Sequence, residues 1–162
     1  MNEEGFHAFY EGTADGLRAY LRNRLENHHL ADDLLQESYI RFLKADLPND
    51  MEQAHKKNYL YRIATNLIHD SWRVRRFEEL ADQQSVAFEK SIEAVQDVKK
   101  VLKQMKPRQR ELLWLAYVEG FRHDEIASII KVKTPSIRPM LARARAQFIR
   151  LIQARTPEEW RS

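Results

Sequence analysis

Two stretches of the sequence combine side chains that could bind nucleic acid. The first, YLYRIATNLIHDSWRVRR at residues 59–76, interleaves arginines with the aromatic residues Tyr59, Tyr61 and Trp72. Unstacked bases pack on aromatic faces while arginines hold phosphates, so this mixture suits single-stranded or distorted DNA. Aromatic residues at helical spacing are also typical of a hydrophobic core. The pattern alone leaves both interpretations open.

The second stretch, DEIASIIKVKTPSIRPMLARARAQF at residues 124–148, has the outline of a helix-turn-helix. A short helix, a basic turn and a longer basic helix would place the longer helix where it can enter a major groove. The apolar stripe Ile137, Leu141, Ala144 and Phe148 leaves four arginines largely off the buried face: Arg138, Arg143, Arg145 and Arg150. Guanidinium groups in this arrangement suit phosphate contacts and recognition of guanine. A helical hairpin with a solvated basic face is the alternative.

Two prolines stand where the longer helix should begin. If Thr134 is the N-cap, Pro139 is the fifth helical residue and removes a backbone hydrogen bond. If Ser136 is the N-cap, Pro139 lies in the first turn, whose N–H groups have no intrahelical partner. An interior proline is disfavoured by roughly 3 kcal/mol. We therefore expect the helix to begin near Ile137, or with a distorted first turn.

Several kinds of chemistry are not indicated. The sequence has no glycine-rich phosphate loop, no nucleophile paired with a base and no carboxylate cluster beyond helix starts, so no enzyme activity and no cofactor is predicted. Cysteine is absent and the six histidines lack the spacing of metal ligands, so no metal site is predicted. The acidic N-terminus is unlike a signal peptide and no apolar run is long enough to span a bilayer. We expect a cytoplasmic protein with no membrane partner.

Charge is distributed in alternating blocks along the 162 residues. The net charge is −4 over residues 1–47, +3 over 48–77, −5 over 78–98 and +9 over 99–162. This alternation favours a protein partner for the acidic surface and nucleic acid for the basic surface. Solvated basic helix faces are the alternative explanation.

The elements that must position these residues are predicted to be helices throughout, because glycine, proline and alternating β-branched residues are few. Helices are predicted over residues 4–27, 31–45 and 51–77, then over 94–105, 107–119, 124–130 and about 137–155. In the second of these, Leu34, Leu35, Ile40, Phe42 and Leu43 are available for a core. The acidic segment 78–93 is predicted to link two small all-α domains, residues 1–77 and 94–162.

Three segments carry a family resemblance: ADDLLQESYIRFLK, YLYRIATNLIHDSWR and MKPRQRELLWLAYVEGFRHDEIASII with ARARAQF. In this order, with an acidic linker between the second and third, they resemble the extracytoplasmic-function (ECF) sigma factors of bacterial RNA polymerase. The most specific piece is the aspartate-leucine, glutamine-glutamate core of the second helix, followed by the pattern Arg-Ile-Ala-x-Asn-x-x-x-Asp-x-x-Arg, which begins here at Arg62. The resemblance covers nearly the whole chain.

The resemblance implies a role for each domain. Residues 1–77 would bind core RNA polymerase and the melted minus-ten element, and residues 94–162 would bind duplex DNA at the minus-thirty-five element. The linker would thread toward the polymerase's RNA channel, and the loop at 45–55 would receive a flipped base. The implied core-binding residues are Asp32, Asp33, Gln36 and Glu37. The implied minus-ten residues are Asn49, Asp50, Tyr59, Arg62, Asn66, Arg73 and Arg76. The implied minus-thirty-five residues are Lys133, Ser136, Arg138 and Arg143.

The chain also departs from the family pattern in the second domain. Lys131 stands where the family usually has glycine in the turn, Pro135 and Pro139 replace small or polar residues, and Met140 replaces a common arginine. We expect that Lys131 can adopt the required backbone conformation at modest cost and that the upstream element is unusual or relaxed.

The resemblance further implies that polymerase supplies the chemistry and that an anti-sigma partner is possible. Two other functions are the alternatives. One is a stand-alone helix-turn-helix regulator that binds an operator as a symmetric pair, and the other is a polymerase-bound adaptor without promoter reading.

Overall fold

The computed structural model describes residues 2–78 and 93–155, and every regular element in these ranges is helical. The helices are α1 (Glu3–Arg24), α2 (His28–Lys44), α3 (Gln53–Glu78), α4 (Glu93–Gln104), α5 (Pro107–Leu113), α6 (His123–Ile130) and α7 (Thr134–Arg155). A π-helical segment, Trp114–Val118, continues α5. None of the helices within the described ranges is both long and apolar enough to cross a bilayer.

The helices belong to two compact units. The first contains α1, α2 and α3, and the second contains α4, α5 and α7. The predicted class, two small all-α domains, is confirmed. Most of the predicted acidic linker, residues 79–92, lies outside the described residues. The domain boundaries stay a prediction.

Asparagine side chains fix the first two helix starts. Asn2 Oδ1 accepts a hydrogen bond from the Gly5 N–H at 2.7 Å, and Asn27 Oδ1 accepts from the N–H groups of His29 and Leu30 at 3.0 and 3.2 Å. An N-cap of this kind satisfies N–H groups that have no intrahelical partner. It also explains why α2 begins three residues before the predicted start.

The three helices of the first unit surround an aromatic core. The rings of Phe9 on α1 and Phe42 on α2 stack at 4.7 Å between centroids. Tyr20 is completely buried against α3, where its hydroxyl hydrogen-bonds to Thr65 Oγ1 at 2.8 Å. This pairing satisfies two polar groups within an otherwise apolar interior, as buried hydroxyls require. The core therefore holds α1 and α3 in a fixed register.

A second buried hydroxyl pair joins α1 to α2. Thr13 Oγ1 donates its hydrogen to the Phe9 carbonyl at 2.8 Å, so the bond at 2.6 Å between Tyr39 and Thr13 uses the Tyr39 hydrogen. Burial raises the pKa of the Tyr39 phenol above its ordinary value. The phenol is therefore held in its protonated form.

The second unit turns sharply after the π-helical segment. The Glu119 N–H bonds to the Trp114 carbonyl, five residues back, and the chain then reverses at Gly120 with φ +70°. Only glycine adopts this conformation without steric cost. Helix α6 then begins with the Arg122 N–H donating to Glu125 Oε1 at 3.0 Å. The Arg122 guanidinium hydrogen-bonds to Asp124 and keeps the pKa of that carboxyl below its ordinary value.

The core of the second unit forms where α4 and α5 pack on α7. Met105, Leu113 and Ala144 are buried together, and Leu102, Phe148 and Leu151 pack against them. Ile137 and Leu141 extend the buried stripe of α7 toward its N-terminus. The predicted apolar stripe of the last helix is therefore its core face, which fixes which side chains point outward.

Two starts of α7 were predicted, one near Ile137 and one with a distorted first turn, and the structure excludes the first of them. The helix begins at Thr134, so the expected start near Ile137 is wrong, and Pro139 lies inside the helix. The Ser136 N–H bonds to the Lys133 carbonyl at 2.9 Å, the tighter spacing of a distorted first turn. Pro139 has no N–H to donate to the Pro135 carbonyl. Ile137, in the first turn, is completely buried.

Lys131 forms the turn between α6 and α7 with φ +60°. A non-glycine residue in this left-handed region costs on the order of 1 kcal/mol. The expectation that lysine can occupy the position is confirmed.

Candidate nucleic-acid interface and docking face

The predicted core-binding residues lie on α2, but they do not share one environment. Asp33 and Gln36 are exposed and Glu37 is half-buried, with its carboxylate 3.0 Å from Arg41 Nε. Asp32 lies to one side and pairs with Arg22 of α1 at 3.3 Å. The structure therefore brings Asp33, Gln36 and Glu37 onto one face and leaves Asp32 at the contact between two helices.

The same face of α2 continues with two apolar side chains. Ile40 is 45% exposed and Leu43 is 48% exposed, although both were predicted to be available for the core. Their positions follow Asp33 and Gln36 at steps of three or four residues, which places them on the same side of the helix. Leu35, Ser38, Tyr39 and Phe42 occupy the buried side instead. We call Asp33, Gln36, Glu37, Ile40 and Leu43 the α2 face.

Most predicted minus-ten residues form a stripe along α3. They are separated by steps of three, four and seven residues, the spacing of one helix face. Its members are Tyr59, Arg62, Asn66 and Arg73, and we call this set the α3 stripe. It lies opposite the buried positions Leu60, Ala64 and Leu67. Arg76 has the same spacing, but its side chain lies outside the described part.

Local contacts hold two members of the α3 stripe. The Tyr59 ring lies 6.4 Å from the Phe42 ring at a steep angle, and the Arg62 guanidinium carbon is 5.8 Å from the Tyr59 centroid. Arg73 is exposed and lies 3.7 Å from the Asp70 carboxylate. An exposed pair of this kind contributes little to stability and is open to exchange for another anion.

The three aromatic residues of the 59–76 segment have different roles. Tyr61 is completely buried and packs on Tyr20 at 5.3 Å, so it belongs to the core. Trp72 is covered by Arg24, whose guanidinium carbon lies 4.3 Å from the ring centroid. Only Tyr59 stands on the α3 stripe. The interleaved pattern thus mixes core packing with a polar face.

The loop between α2 and α3 spans residues 45–52, because the last residues assigned to it from sequence already belong to α3. Asn49 and Asp50 form an exposed turn at its tip. Asp46, at the start of the loop, has φ +50°. Both predicted loop residues are therefore accessible, next to the first turn of α3.

The predicted minus-thirty-five residues flank α7 rather than sharing one face. Arg138 and Arg143 are both exposed, but five helical positions separate them by about 140° around the axis. Ser136 lies on the Arg143 side and is half-buried, and Lys133 is exposed just before the helix. Arg145, on the Arg138 side, donates to the Tyr117 hydroxyl at 2.7 Å.

Between these flanks, α7 turns small and apolar groups outward. The exposed positions opposite the buried stripe are Pro135, Pro139, Ala142 and Ala146. None of their side chains carries a hydrogen-bond donor or acceptor. The outward surface of α7 is thus a neutral strip with an arginine-bearing flank on each side.

No group of three or more histidine, aspartate or glutamate side chains within residues 2–78 and 93–155 is placed to hold a metal ion. The chemistry of the described surfaces is that of hydrogen bonding, stacking and charge.

Family models match both units. The model described as Sigma-70 region 2 matches residues 9–78, and the model described as Sigma-70, region 4 matches residues 96–148. Together they span about three quarters of the chain.

Two curated relatives are described as sigma factors of RNA polymerase. The RNA polymerase sigma factor SigZ of Bacillus subtilis is 23% identical over 143 residues, which cover 85% of this chain and 81% of that protein. The ECF RNA polymerase sigma factor EcfG of Rhodopseudomonas palustris is 25% identical over 153 residues, covering 89% and 83%.

A solved structure shares the fold. The sigma factor RpoE from Bartonella quintana, crystallised with the anti-sigma factor NepR, matches with a TM-score of 0.78 at 23% identity, covering 94% of this chain and 99% of that one.

Proposed function

This chain belongs to the ECF sigma factors of the sigma-70 family and directs promoter recognition and transcription initiation with core RNA polymerase, and we propose how its surfaces divide that task. The first unit docks on polymerase through the α2 face and holds an opened promoter strand along the α3 stripe. The second unit contacts upstream duplex through α7. The observation that carries this proposal is the α3 stripe, which gathers the predicted strand-binding residues opposite a buried face.

The α2 face has the composition of a protein docking site. Interfaces combine a buried apolar centre with polar groups that fix the register. Ile40 and Leu43 supply apolar area, while Asp33 and Glu37 supply negative charge for a basic partner surface. Since Asp32 is paired with Arg22, we assign it to holding α1 and α2 together rather than to docking.

The α3 stripe suits a single strand. Tyr59 offers a ring for a base, Asn66 offers an amide that can both donate and accept, and Arg62 and Arg73 offer positive charge for phosphates. Binding that favours the open strand lowers the free energy of melted promoter DNA without any bond being broken in the protein. Arg76 is proposed to extend the stripe.

The flanks of α7 suit the two phosphate backbones that border a groove. Arg138 on one flank and Arg143 on the other can each reach a phosphate, with Lys133 and Ser136 near the first turn of the helix. The neutral strip between them faces the base edges. Upstream binding therefore rests mainly on charge.

The chain acts as a binding factor and contributes no catalytic group; polymerase performs the chemistry. We place it in the cytoplasm with polymerase. Because the Bartonella relative is bound to an anti-sigma factor, we also propose a partner of that class for this chain.

Run-off transcription with core polymerase that lacks its own sigma subunit tests the proposal. The chain should produce promoter-dependent transcripts. The double substitution Asp33→Arg with Glu37→Arg should abolish core binding and transcription together, because it reverses the charge of the α2 face. Asp15→Arg, at an exposed carboxylate on α1, is the matched control. Normal core affinity in the double variant would contradict the docking assignment.

A further inference from the structure

The π-helical segment of the second unit turns an aromatic side chain to the surface. Tyr117 is 60% exposed, and its hydroxyl accepts a hydrogen bond from Arg145 Nη1 of α7 at 2.7 Å. The bond from the Glu119 N–H to the Trp114 carbonyl holds the backbone of this segment in its wider turn. Turns of this kind are frequent at functional sites. Tyr117 and Arg145 therefore form a polar pair at the surface, and we call them the Tyr117–Arg145 pair.

The pair keeps most of its hydrogen-bond donors for a partner from outside. A guanidinium group has five N–H donors, and among the described residues Arg145 uses one of them, toward the Tyr117 hydroxyl. No carboxylate within the described ranges pairs with Arg145. Because Tyr117 is the acceptor in this bond, the hydrogen of its own hydroxyl stays available. Donors from both side chains can thus meet around one oxyanion.

The position of the pair on α7 indicates which oxyanion it meets. Arg145 is exposed and lies on the same flank as Arg138, seven residues and about 10 Å along the helix axis away. Tyr117 comes from a different element, so this flank has a donor that α7 alone does not supply. The sequence carried no prediction for Tyr117.

The charge of this region favours a nucleic acid over a carboxylate of a partner protein. Residues 99–162 carry 15 lysines and arginines against 6 aspartates and glutamates, a net charge of +9. A surface of this charge attracts a polyanion. Arginine binds phosphate through two parallel N–H bonds, and tyrosine hydroxyls also donate to the DNA backbone.

We propose that the Tyr117–Arg145 pair binds one backbone phosphate of the upstream duplex, with the guanidinium group and the phenol hydroxyl donating to its oxygens together. The hydrogen bond between the two side chains orients the guanidinium group before DNA arrives. This contact fixes the position of one DNA strand against α7 and reads no base. The inference rests on the proposed function, since it needs α7 to face upstream duplex.

The test uses holoenzyme reconstituted from the full chain and core polymerase, with a promoter that supports run-off transcription by the unsubstituted holoenzyme. Fluorescence anisotropy measures promoter affinity at several concentrations of potassium chloride. Tyr117→Phe keeps the ring and should weaken binding about tenfold with an unchanged salt dependence. Arg145→Ala should weaken binding at least as much and lower the salt dependence by about one counterion. Val118→Ala is the matched control, because it shortens the neighbouring exposed side chain, which has no donor.

Two further measurements locate the phosphate. In the Arg145→Ala background, Tyr117→Phe should cost only about twofold, because the two side chains hold the same group and their effects are not additive. Neutral methylphosphonates are then placed at single positions of the upstream element. At one of these positions the unsubstituted chain and Tyr117→Phe should bind equally.

The opposite results overturn the inference in distinguishable ways. Unchanged promoter affinity in Tyr117→Phe, or an equal loss in Val118→Ala, removes the pair from the DNA contact. Weaker binding of Tyr117→Phe to core polymerase before DNA is added identifies a protein contact instead. Arg145→Lys keeps the charge without the planar donor group, so promoter binding as tight as that of the unsubstituted chain would also contradict the clamp. If the unsubstituted chain yields no promoter-dependent transcript, the proposed function itself fails.

Discussion

The apolar part of the α2 face gives the sharpest test of how this chain docks. Replacing Ile40 and Leu43 by alanine removes exposed side chains that contribute little to the core of the free chain. Exposed positions away from caps and special backbone conformations usually change stability by less than about 0.5 kcal/mol. We therefore expect the double variant to fold normally and to bind core polymerase more weakly.

The size of the loss follows from the exposed fractions. Complete burial of an isoleucine or leucine side chain stabilises by roughly 1.5–3 kcal/mol. Ile40 is 45% exposed and Leu43 is 48% exposed, so docking can bury about half of each. That corresponds to about 1 kcal/mol per residue and about 2 kcal/mol together. At about 1.4 kcal/mol per factor of ten, the dissociation constant should rise on the order of 30-fold.

Fluorescence anisotropy of the labelled chain, titrated with core polymerase, measures this change. Val98→Ala is a suitable control because it removes an exposed apolar side chain, 41% accessible, from α4. Leu35→Ala gives the contrast of a buried α2 residue and should lower the free energy of unfolding by 2–5 kcal/mol. If the Ile40 and Leu43 double variant binds polymerase as tightly as the unsubstituted chain, the apolar half of the α2 face has no part in docking.

Three further predictions concern single residues. Asn66→Ala should leave core affinity unchanged and reduce promoter opening, measured by permanganate reactivity of unpaired thymines; unchanged reactivity would remove Asn66 from the strand site. Tyr39→Phe should lower stability at pH 8 by about 1 kcal/mol through loss of the hydrogen bond to Thr13. Burial raises the pKa of Tyr39 in the folded chain, so the unsubstituted chain loses part of its stability relative to Tyr39→Phe as the pH rises above about 10. Urea unfolding should therefore show a smaller difference in the free energy of unfolding between the two chains at pH 11 than at pH 8. A constant difference would refute this. Pro139→Ala should raise the melting temperature by restoring the bond to the Pro135 carbonyl, worth up to about 3 kcal/mol, whereas Pro135→Ala should not.

The sequence predicted the number and order of helices because their apolar spacing is regular. The prediction of core residues failed on α2, because the same helical spacing is found in side chains of the core and in exposed side chains. Ile40 and Leu43 fit a helical stripe as well as Leu35 and Phe42 do, yet they lie on the α2 face outside the core. Apolar periodicity indicates which side chains share one face of a helix. It does not indicate whether that face is covered by the chain itself or by another molecule.

Helix boundaries were less predictable for local reasons. Asn27 is a favourable N-cap, and attention to it would have placed the start of α2 correctly. For α7 the cost of an interior proline favoured a late start, but the helix begins at Thr134 with Pro139 inside it.

A cavity beside the first turn of α3 had no sequence pattern that could reveal it, because its lining joins residues from α1, such as Gly5, to the loop and the start of α3. The α3 stripe, in contrast, was visible because its members share one helix and one period.

The neutral strip on α7 has a consequence for how promoters of this factor can vary. In the proposed arrangement pyrrolidine rings and methyl groups face the bases, so a base-pair substitution in the upstream element removes no hydrogen bond to the side chains of that strip. The affinity of α7 for the upstream element should depend strongly on ionic strength, because binding releases cations from the phosphates, and only weakly on the base sequence of that element. The upstream elements of such promoters can change in sequence while the promoters remain functional. Discrimination among promoters then depends on the strand that opens.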